Sequence, residues 1–303
     1  MRAEGGFAAA MRTWWRALRP FSFGASAVPV AVGALAARHA GEAFSWARLG
    51  WTLLAGVSLH AAANLWDDWF DYRCGVDRPG ADGGSGVLTS GLLRPGQVFA
   101  AACIFALAGG AVGAALAVSA KAWGVLALGA AGGAGAAGYA AGRWSPKHLA
   151  LGEAWVALLM GAGLPLGAWW VQTGHPAWRP VAAAFPLATL TALFLHANNL
   201  RDREGDETAG VATLAAALAR RFSVRTAIRF ARGLAAAAFL GLAALVAAGA
   251  VPRWAGLAGL TLPGFVAWGA SLSRKGGADD ASVRQAAALQ LAFGVFFLAG
   301  YFF

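Results

Sequence analysis

Charge is scarce in this sequence. Asp, Glu, Lys and Arg make up 13% of its 303 residues, where soluble domains carry about 25%. That shortage, beside 59% hydrophobic residues, excludes a disordered chain and argues against a water-soluble enzyme. Cysteine is nearly absent. Cys74 and Cys103 are the two, neither has a partner motif, and a disulfide scaffold is excluded. The five histidines (His39, His60, His148, His175, His196) are scattered, with no pair at metal-ligand spacing. Acids are few as well: 14 against 24 basic residues, for a formal net charge of +10. In so apolar a chain that excess reports topology rather than nucleic acid, and no nucleic-acid partner is expected.

What the sequence does have is long apolar stretches separated by short polar segments. They fall at 21–37, 47–66, 97–118, 121–141, 149–171, 180–199, 228–249, 253–271 and 284–303. Each is close to the ~20 residues a helix needs to cross a bilayer. The runs are continuous rather than alternating, which excludes a transmembrane barrel. The expected fold is therefore all-α and polytopic, with about nine transmembrane helices in a single domain over 1–303. Residues 1–20 read as an amphipathic arm, with Trp14 and Trp15 beside Arg12 and Arg16 at headgroup level. If the N-terminus is cytoplasmic, 19 of the 24 basic residues fall on the inside. The positive-inside rule then favours an odd number of spans and a multi-pass protein of the cell (inner) membrane. Gly109–Gly113 and Gly129–Gly133 are small-xxx-small pairs suited to close helix packing.

The acids are unevenly placed. Nine of the 14 lie in two short clusters, 67–82 and 202–207. Both follow a predicted helix end on the cytoplasmic side, in motif loops 67–96 and 200–227. The first reads Asn64-Leu-Trp-Asp67-Asp68-Trp-Phe-Asp71, with Asp77 and Asp82 beyond it. The second reads Asn198-Asn199-Leu-Arg201-Asp202-Arg-Glu204-Gly-Asp206-Glu207. Spacings of three and four put carboxylates on one helix face. Carboxylates without His or Cys suit Mg²⁺, which is typically held by one or two of them plus substrate phosphates. Two such clusters facing each other would hold Mg²⁺ around a diphosphate. Arg73, Arg78, Arg143, Lys147 and Arg201 sit in the same layer and offer donors to phosphate oxygens. The even offset between the clusters also suggests a parallel repeat of four helices each, with a ninth appended.

These segments resemble the UbiA superfamily of intramembrane prenyltransferases. Asp67, Asp68, Asp71 and Asp77 fall on its first aspartate-rich motif, with Asp at 67 where the family commonly has Asn. Asp202 and Asp206 fall on its second, and the likeness continues through Gly210 and Thr213-Leu214. Tyr139-xxx-Arg143 takes the place of the family's YxxxK, with Lys147 four residues on as an alternative cation. Arg19-Pro20, Gly75-Val76-Asp77-Arg78-Pro79, Ser85-Gly86-Val87-Leu88, Leu151-Gly152-Glu153 and Asn199-Leu-Arg201-Asp202 look most like the menaquinone branch. That branch joins a polyprenyl group to 1,4-dihydroxy-2-naphthoate.

The resemblance implies a Mg²⁺-dependent transfer from a polyprenyl diphosphate to an aromatic acceptor, within the bilayer and facing the cytoplasm. It implies Asp67, Asp68, Asp71, Asp202 and Asp206 as metal ligands, with Asp68, Asp71, Asp202 and Tyr139 as catalytic residues. Asn64, Arg73, Arg143, Lys147, Arg201 and Asn198 would bind diphosphate. Helix packing is an equal reading for Asn198, and an interfacial position for Tyr139. Glu153 reads either as a substrate contact or as a cap. Other acceptors (4-hydroxybenzoate, homogentisate, a glycerol lipid) stay open, as does a transporter, although transporters place their ionisable groups nearer the bilayer midplane.

Overall fold

The computed structural model describes residues 2–78 and 84–303, so Pro79 and Asp82 lie outside the described residues. Helix α1 (Arg2–Leu18) is the expected arm and α2 (Gly24–His39) follows it. Next come α3 (Trp46–Arg73), α4 (Pro95–Ser119) and α5 (Gly124–Ala137). Helix α6 (Gly152–Thr173) is continuous through a wider turn at Leu159–Gly163. Helices α7 (Phe185–Thr208), α8 (Leu214–Arg221) and α9 (Val224–Ala247) are followed by α10 (Arg253–Lys275) and α11 (Asp280–Ala299). No strand occurs among the described residues.

Side chains written into the sequence set many of these boundaries. Ser45, Thr213, Ser223 and Asp279 each accept a backbone N–H as N-caps of α3, α8, α9 and α11. Lys121, at φ 53°, turns the chain between α4 and α5, which only four residues separate.

The nine predicted stretches fall on helices, but length and composition among the described residues do not confirm nine spans. Five (α4, α6, α9, α10 and α11) are long and apolar enough to cross a bilayer, or six if the pair Gly6–Ser22 and Gly24–His39, bent by 50°, counts as one. Helices α2 and α5 are apolar but only 16 and 14 residues long. Helices α3 and α7 are long enough, at 28 and 24 residues, but carry the acid clusters, asparagines and buried histidines.

The largest buried cluster is built by α7, α9, α10 and α11, around Leu190, Trp268, Phe293 and Phe297. A smaller one ties α1 to α3, the 85–93 turn and α4 through Ala17, Leu65, Val87 and Val98. Of the small-residue pairs, Gly109 alone meets a neighbouring helix. A Cβ there would lie 3.0 Å from the Ala55 carbonyl oxygen, while beside Gly113, Gly129 and Gly133 no atom lies within 4 Å. The tightest α2–α6 approach is at Gly33, where a Cβ would lie 2.3 Å from the Pro165 carbonyl oxygen. Gly33→Ala therefore forces two backbones apart and is expected to cost about 1–3 kcal/mol. Gly113→Ala meets nothing and gains up to ~1 kcal/mol of helix propensity. Melting temperatures in detergent check both, and equal shifts for the two variants would refute the packing argument.

Candidate active site

Asp67, Asp68 and Asp71 of the first cluster and all four acids of the second lie on helices rather than in loops, while Asp77 stands beyond the end of α3. Helix α3 runs seven residues past the predicted span end at 66, and α7 nine past 199. Asp67 and Asp71 are thus one turn apart on α3, as are Asp202 and Asp206 on α7. The two helices stop in the same way. The Val76 N–H donates to the Asp71 carbonyl and the Gly75 N–H to Tyr72; the Val211 N–H donates to the Asp206 carbonyl and the Gly210 N–H to Glu207. Gly75 and Gly210 take the left-handed conformation, at φ 72° and 73°, that this ending requires. Asp71 and Asp206 therefore occupy the same position in a helix C-terminus. Two such termini, each with negative dipole ends and two carboxylates, call for positive charge between them.

They face one cavity of about 670 Å³. Asp67, Asp71, Asp77, Asp202 and Asp206 line it, with Arg16, Arg19, Lys147 and Arg201 among them. Beyond the charged layer the wall turns apolar, through Phe21, Ala25, Trp155, Leu159, Met160 and Phe194.

Lys147 is the central cation. Its Nζ donates to Asp67 Oδ1 (3.1 Å) and to Asp71 Oδ2. Burial works against its charge, but Asp67 and Asp71 outweigh burial and raise its pKa well above the usual lysine value. Arg19 bonds Asp68 and reaches Asp67 Oδ2 at 3.5 Å. It does so from a left-handed backbone conformation, φ 52° and ψ 56°, that a non-glycine residue seldom adopts. Asp68 is 2% exposed and does not line the cavity. It accepts from Arg19, from the Ser85 hydroxyl and from the Ser85 N–H (3.1 Å), while Arg16 Nε donates to the Ser85 carbonyl (2.5 Å). Arg201 grips Asp202 with two bonds, 2.6 and 2.7 Å, and also bonds Asp280 (3.0 Å) at the start of α11. Thr213 donates to Asp206 (3.4 Å).

Asn64 lines the cavity but spends its Nδ2 on the Leu18 carbonyl (2.9 Å) and Ser22 (3.2 Å), anchoring the arm. Asn198 also lines the cavity, with its Nδ2 on the Phe194 carbonyl (3.0 Å) of its own helix. Tyr139 lines it too, and its carbonyl accepts from the Lys147 N–H (3.2 Å). Arg73 and Arg143 do not line it. Both are exposed, stacked over Trp69 (5.3 Å) and Trp144 (5.0 Å).

Several residues at the site were not picked out by sequence as site residues. Arg19 and Ser85 were visible only as parts of family-like strings, and Arg16 only as a basic residue in the arm. Ser22, Ser26 and His60 form a bonded group beside Asn64 that leaves no local pattern. Glu153 is neither an exposed cap nor part of the cavity lining. It is buried and accepts from Asn199, with His196 bonded to the same oxygen.

The donor set fits Mg²⁺. No three Asp, Glu, His or Cys side chains among the described residues form a ready-made cage, and Mg²⁺ does not require one when substrate phosphates complete its shell. Asp71 lines the cavity, and its Oδ1 is buried without a hydrogen-bond partner, an oxygen left free for a cation. Asp77 adds a titratable group. Burial first, then Asp68 and Asp67, push its carboxyl up to about 6 from 3.8. A raised acid makes ionisation costly to the fold, so the penalty is absent below pH 3.8 and complete above about pH 6. Asp77→Asn removes it. Its melting temperature is expected to gain on the wild type as pH rises from about 4 to 7; a pH-independent difference would contradict this.

A model described as the UbiA prenyltransferase family matches residues 26–301. The chain is 36% identical over 216 residues to the UbiA prenyltransferase domain-containing protein 1 homolog of Drosophila melanogaster, covering 70% of this chain and 60% of that one. It is 31% identical over 219 residues to the human UbiA prenyltransferase domain-containing protein 1, covering 68% and 61%. It thus spans about three fifths of the length of these curated relatives. The fold matches the apo structure of a UbiA homolog from Aeropyrum pernix K1, with a TM-score of 0.71 at 20% identity over 93% of this chain and 97% of that one. It also matches a UbiA homolog from Archaeoglobus fulgidus bound to DMAPP and Mg²⁺, with a TM-score of 0.58 at 16% identity over 95% and 99%. The chain belongs to the UbiA prenyltransferase family.

Proposed function

We propose that this protein transfers a polyprenyl group from an allylic diphosphate to an aromatic ring, with Mg²⁺ as cofactor and 1,4-dihydroxy-2-naphthoate as acceptor. The observation that carries this reading is one cavity with two ends. At one end two carboxylate pairs, Asp67/Asp71 and Asp202/Asp206, stand among Arg19, Lys147 and Arg201; at the other the wall is aliphatic and aromatic. A diphosphate and an isoprenoid tail need those two environments side by side. The Archaeoglobus fulgidus homolog, bound to DMAPP and Mg²⁺ or to GPP and Mg²⁺, supports it. The naphthoate acceptor rests on the strings shared with the menaquinone branch.

Asp67, Asp71, Asp202 and Asp206 would hold Mg²⁺, and Asp68 would brace them through Arg19 and Ser85. Bound Mg²⁺ supplies charge neutralisation for the departing diphosphate. Lys147 and Arg19 add fixed positive charge where the leaving oxygen becomes anionic. The allylic C–O bond breaks, the ring carbon attacks, and the ring gives up its substituent at that carbon, the carboxylate in the naphthoate case. Trp155, Phe21 and Phe194 offer ring faces to the allylic cation. The apolar wall excludes water that would otherwise capture it.

A product assay on purified protein tests this. With Mg²⁺, a labelled polyprenyl diphosphate and a panel of aromatic acceptors, the expected product is prenylated naphthoquinol, lost with EDTA. A product from another acceptor would change the acceptor and keep the chemistry. No product from folded protein would overturn the reading.

The excess of basic residues on one side of the predicted layout supports a site that faces the cytoplasm of the cell membrane. Cys74 is exposed, directly beyond the first motif. It is expected to react with a membrane-impermeant maleimide in inverted vesicles and not in intact cells; the opposite pattern would reverse the orientation.

A further inference from the structure

Behind the cavity wall, three buried polar side chains form a hydrogen-bonded chain that the diphosphate chemistry does not use. Glu153 stands on the first turn of α6, and His196 and Asn199 stand one turn apart on α7. Their exposures are 3%, 0% and 7%. His196 Nε2 lies 3.0 Å from the Ala227 carbonyl on α9, and Nδ1 lies 2.8 Å from Glu153 Oε1. Asn199 Nδ2 donates to that same Oε1 at 3.2 Å. Of the three, Asn199 alone lines the cavity.

The chemistry of these partners fixes which way the Asn199 amide points. A backbone carbonyl only accepts, so His196 Nε2 carries a hydrogen. One more proton lies between Nδ1 and Oε1. Whether it sits on nitrogen or on oxygen, Oε1 keeps a lone pair for the Asn199 NH₂. The amide nitrogen is thus pinned to the buried side, and the carbonyl oxygen Oδ1 is left on the cavity side. Oδ1 has no hydrogen to give a phosphate oxygen. Asn199 lies three residues before Asp202, one helical turn back from the carboxylate layer toward the apolar wall.

We infer that Asn199 Oδ1 accepts a hydrogen bond from a hydroxyl of the aromatic acceptor, and that Glu153 and His196 are positioning residues that hold the amide in that sense. The inference rests on the prenyl-transfer reading and adds a hydroxyl-recognising group to it. Glu153→Gln should turn the device round. A glutamine NH₂ facing neutral His196 Nδ1 draws the Asn199 carbonyl inward and presents its NH₂ to the cavity.

The test compares 1,4-dihydroxy-2-naphthoate with its mono-O-methyl ethers, which lack one or other donor, in wild type, Asn199→Leu and Glu153→Gln. Wild type should discriminate against one ether by about 10-fold or more in kcat/KM, the usual size for one lost hydrogen bond. Both variants should raise the KM for the dihydroxy acceptor, leave the KM for prenyl diphosphate unchanged, and bring the discrimination close to one. Quenching of tryptophan fluorescence by the acceptor, with Trp155 in the cavity wall, gives the same comparison without turnover. Unchanged discrimination in Asn199→Leu would overturn the inference while wild-type activity upholds the reading beneath it. A raised prenyl diphosphate KM or Mg²⁺ requirement would overturn it by placing Asn199 on the metal side. Wild type that prenylates no aromatic acceptor would overturn both.

Discussion

Asp71→Asn is expected to lower turnover by about 10²–10³-fold or more, the range seen when one preorganised charge-stabilising group is removed. The variant should still fold. Asp71 is 4% exposed at the wall of the cavity, with one oxygen on Lys147 and the other without a partner. Asparagine keeps the shape and the backbone ending at Gly75. It removes the charge and replaces one ligand oxygen with an NH₂ that no cation accepts. The loss should appear at saturating substrate and be relieved in part by excess Mg²⁺. Asp68→Asn makes the informative contrast. Asp68 faces Arg19 and Ser85 rather than the cavity, so its loss should lower the melting temperature, with activity falling as the wall loosens. If Asp71→Asn kept turnover at ordinary Mg²⁺ while a folded Asp68→Asn had none, the metal would belong to Asp68.

How far the sequence speaks for this site depends on whether the signal is local. Asp67, Asp71, Asp202 and Asp206 were legible because four-residue spacing on a helix is a local geometric fact, repeated twice. Their similar helix endings were not read: Gly75 and Gly210 stood only in family-like strings, and the helices were expected to end at 66 and 199. The apolar runs located every long helix. The number of spans is not confirmed by the same runs, because α2 and α5 are short and the helices that carry the motifs hold polar residues. The partners of the aspartates were hardest to read. Lys147 meets Asp71 across 76 residues of sequence, and Arg19 meets Asp68 across 49. Arg73, closer in sequence to the first motif, turns outward onto Trp69 instead. Glu153 looked isolated because its partners, His196 and Asn199, are 43 and 46 residues away on another helix.

The choice between Arg143 and Lys147 shows what the structure adds. Sequence placed Arg143 at the family's YxxxK position and offered Lys147 as an alternative. In the fold, Arg143 is exposed over Trp144, while Lys147 is partly buried between two carboxylates. Lys147→Met leaves Asp67 and Asp71 without their shared cation in a poorly solvated wall. Breaking a buried pair in this way typically costs about 3–5 kcal/mol, so the variant should melt well below the wild type in EDTA. Mg²⁺ should restore much of that loss. An ion that binds only the folded state stabilises it by about 2.7 kcal/mol at 100 times its Kd, and the vacated carboxylates should bind it more tightly than before. Turnover should not recover with stability. The KM for prenyl diphosphate should stay at least 10-fold raised, because one charge-assisted bond to phosphate, worth about 1.5–3 kcal/mol, is missing. Arg143→Ala should leave the diphosphate KM within about twofold and cost at most about 0.5–1 kcal/mol of stability, the worth of an exposed cation–π contact. The reverse ranking, with Arg143→Ala raising the diphosphate KM more than Lys147→Met, would move diphosphate recognition to the outer turn and away from the cavity.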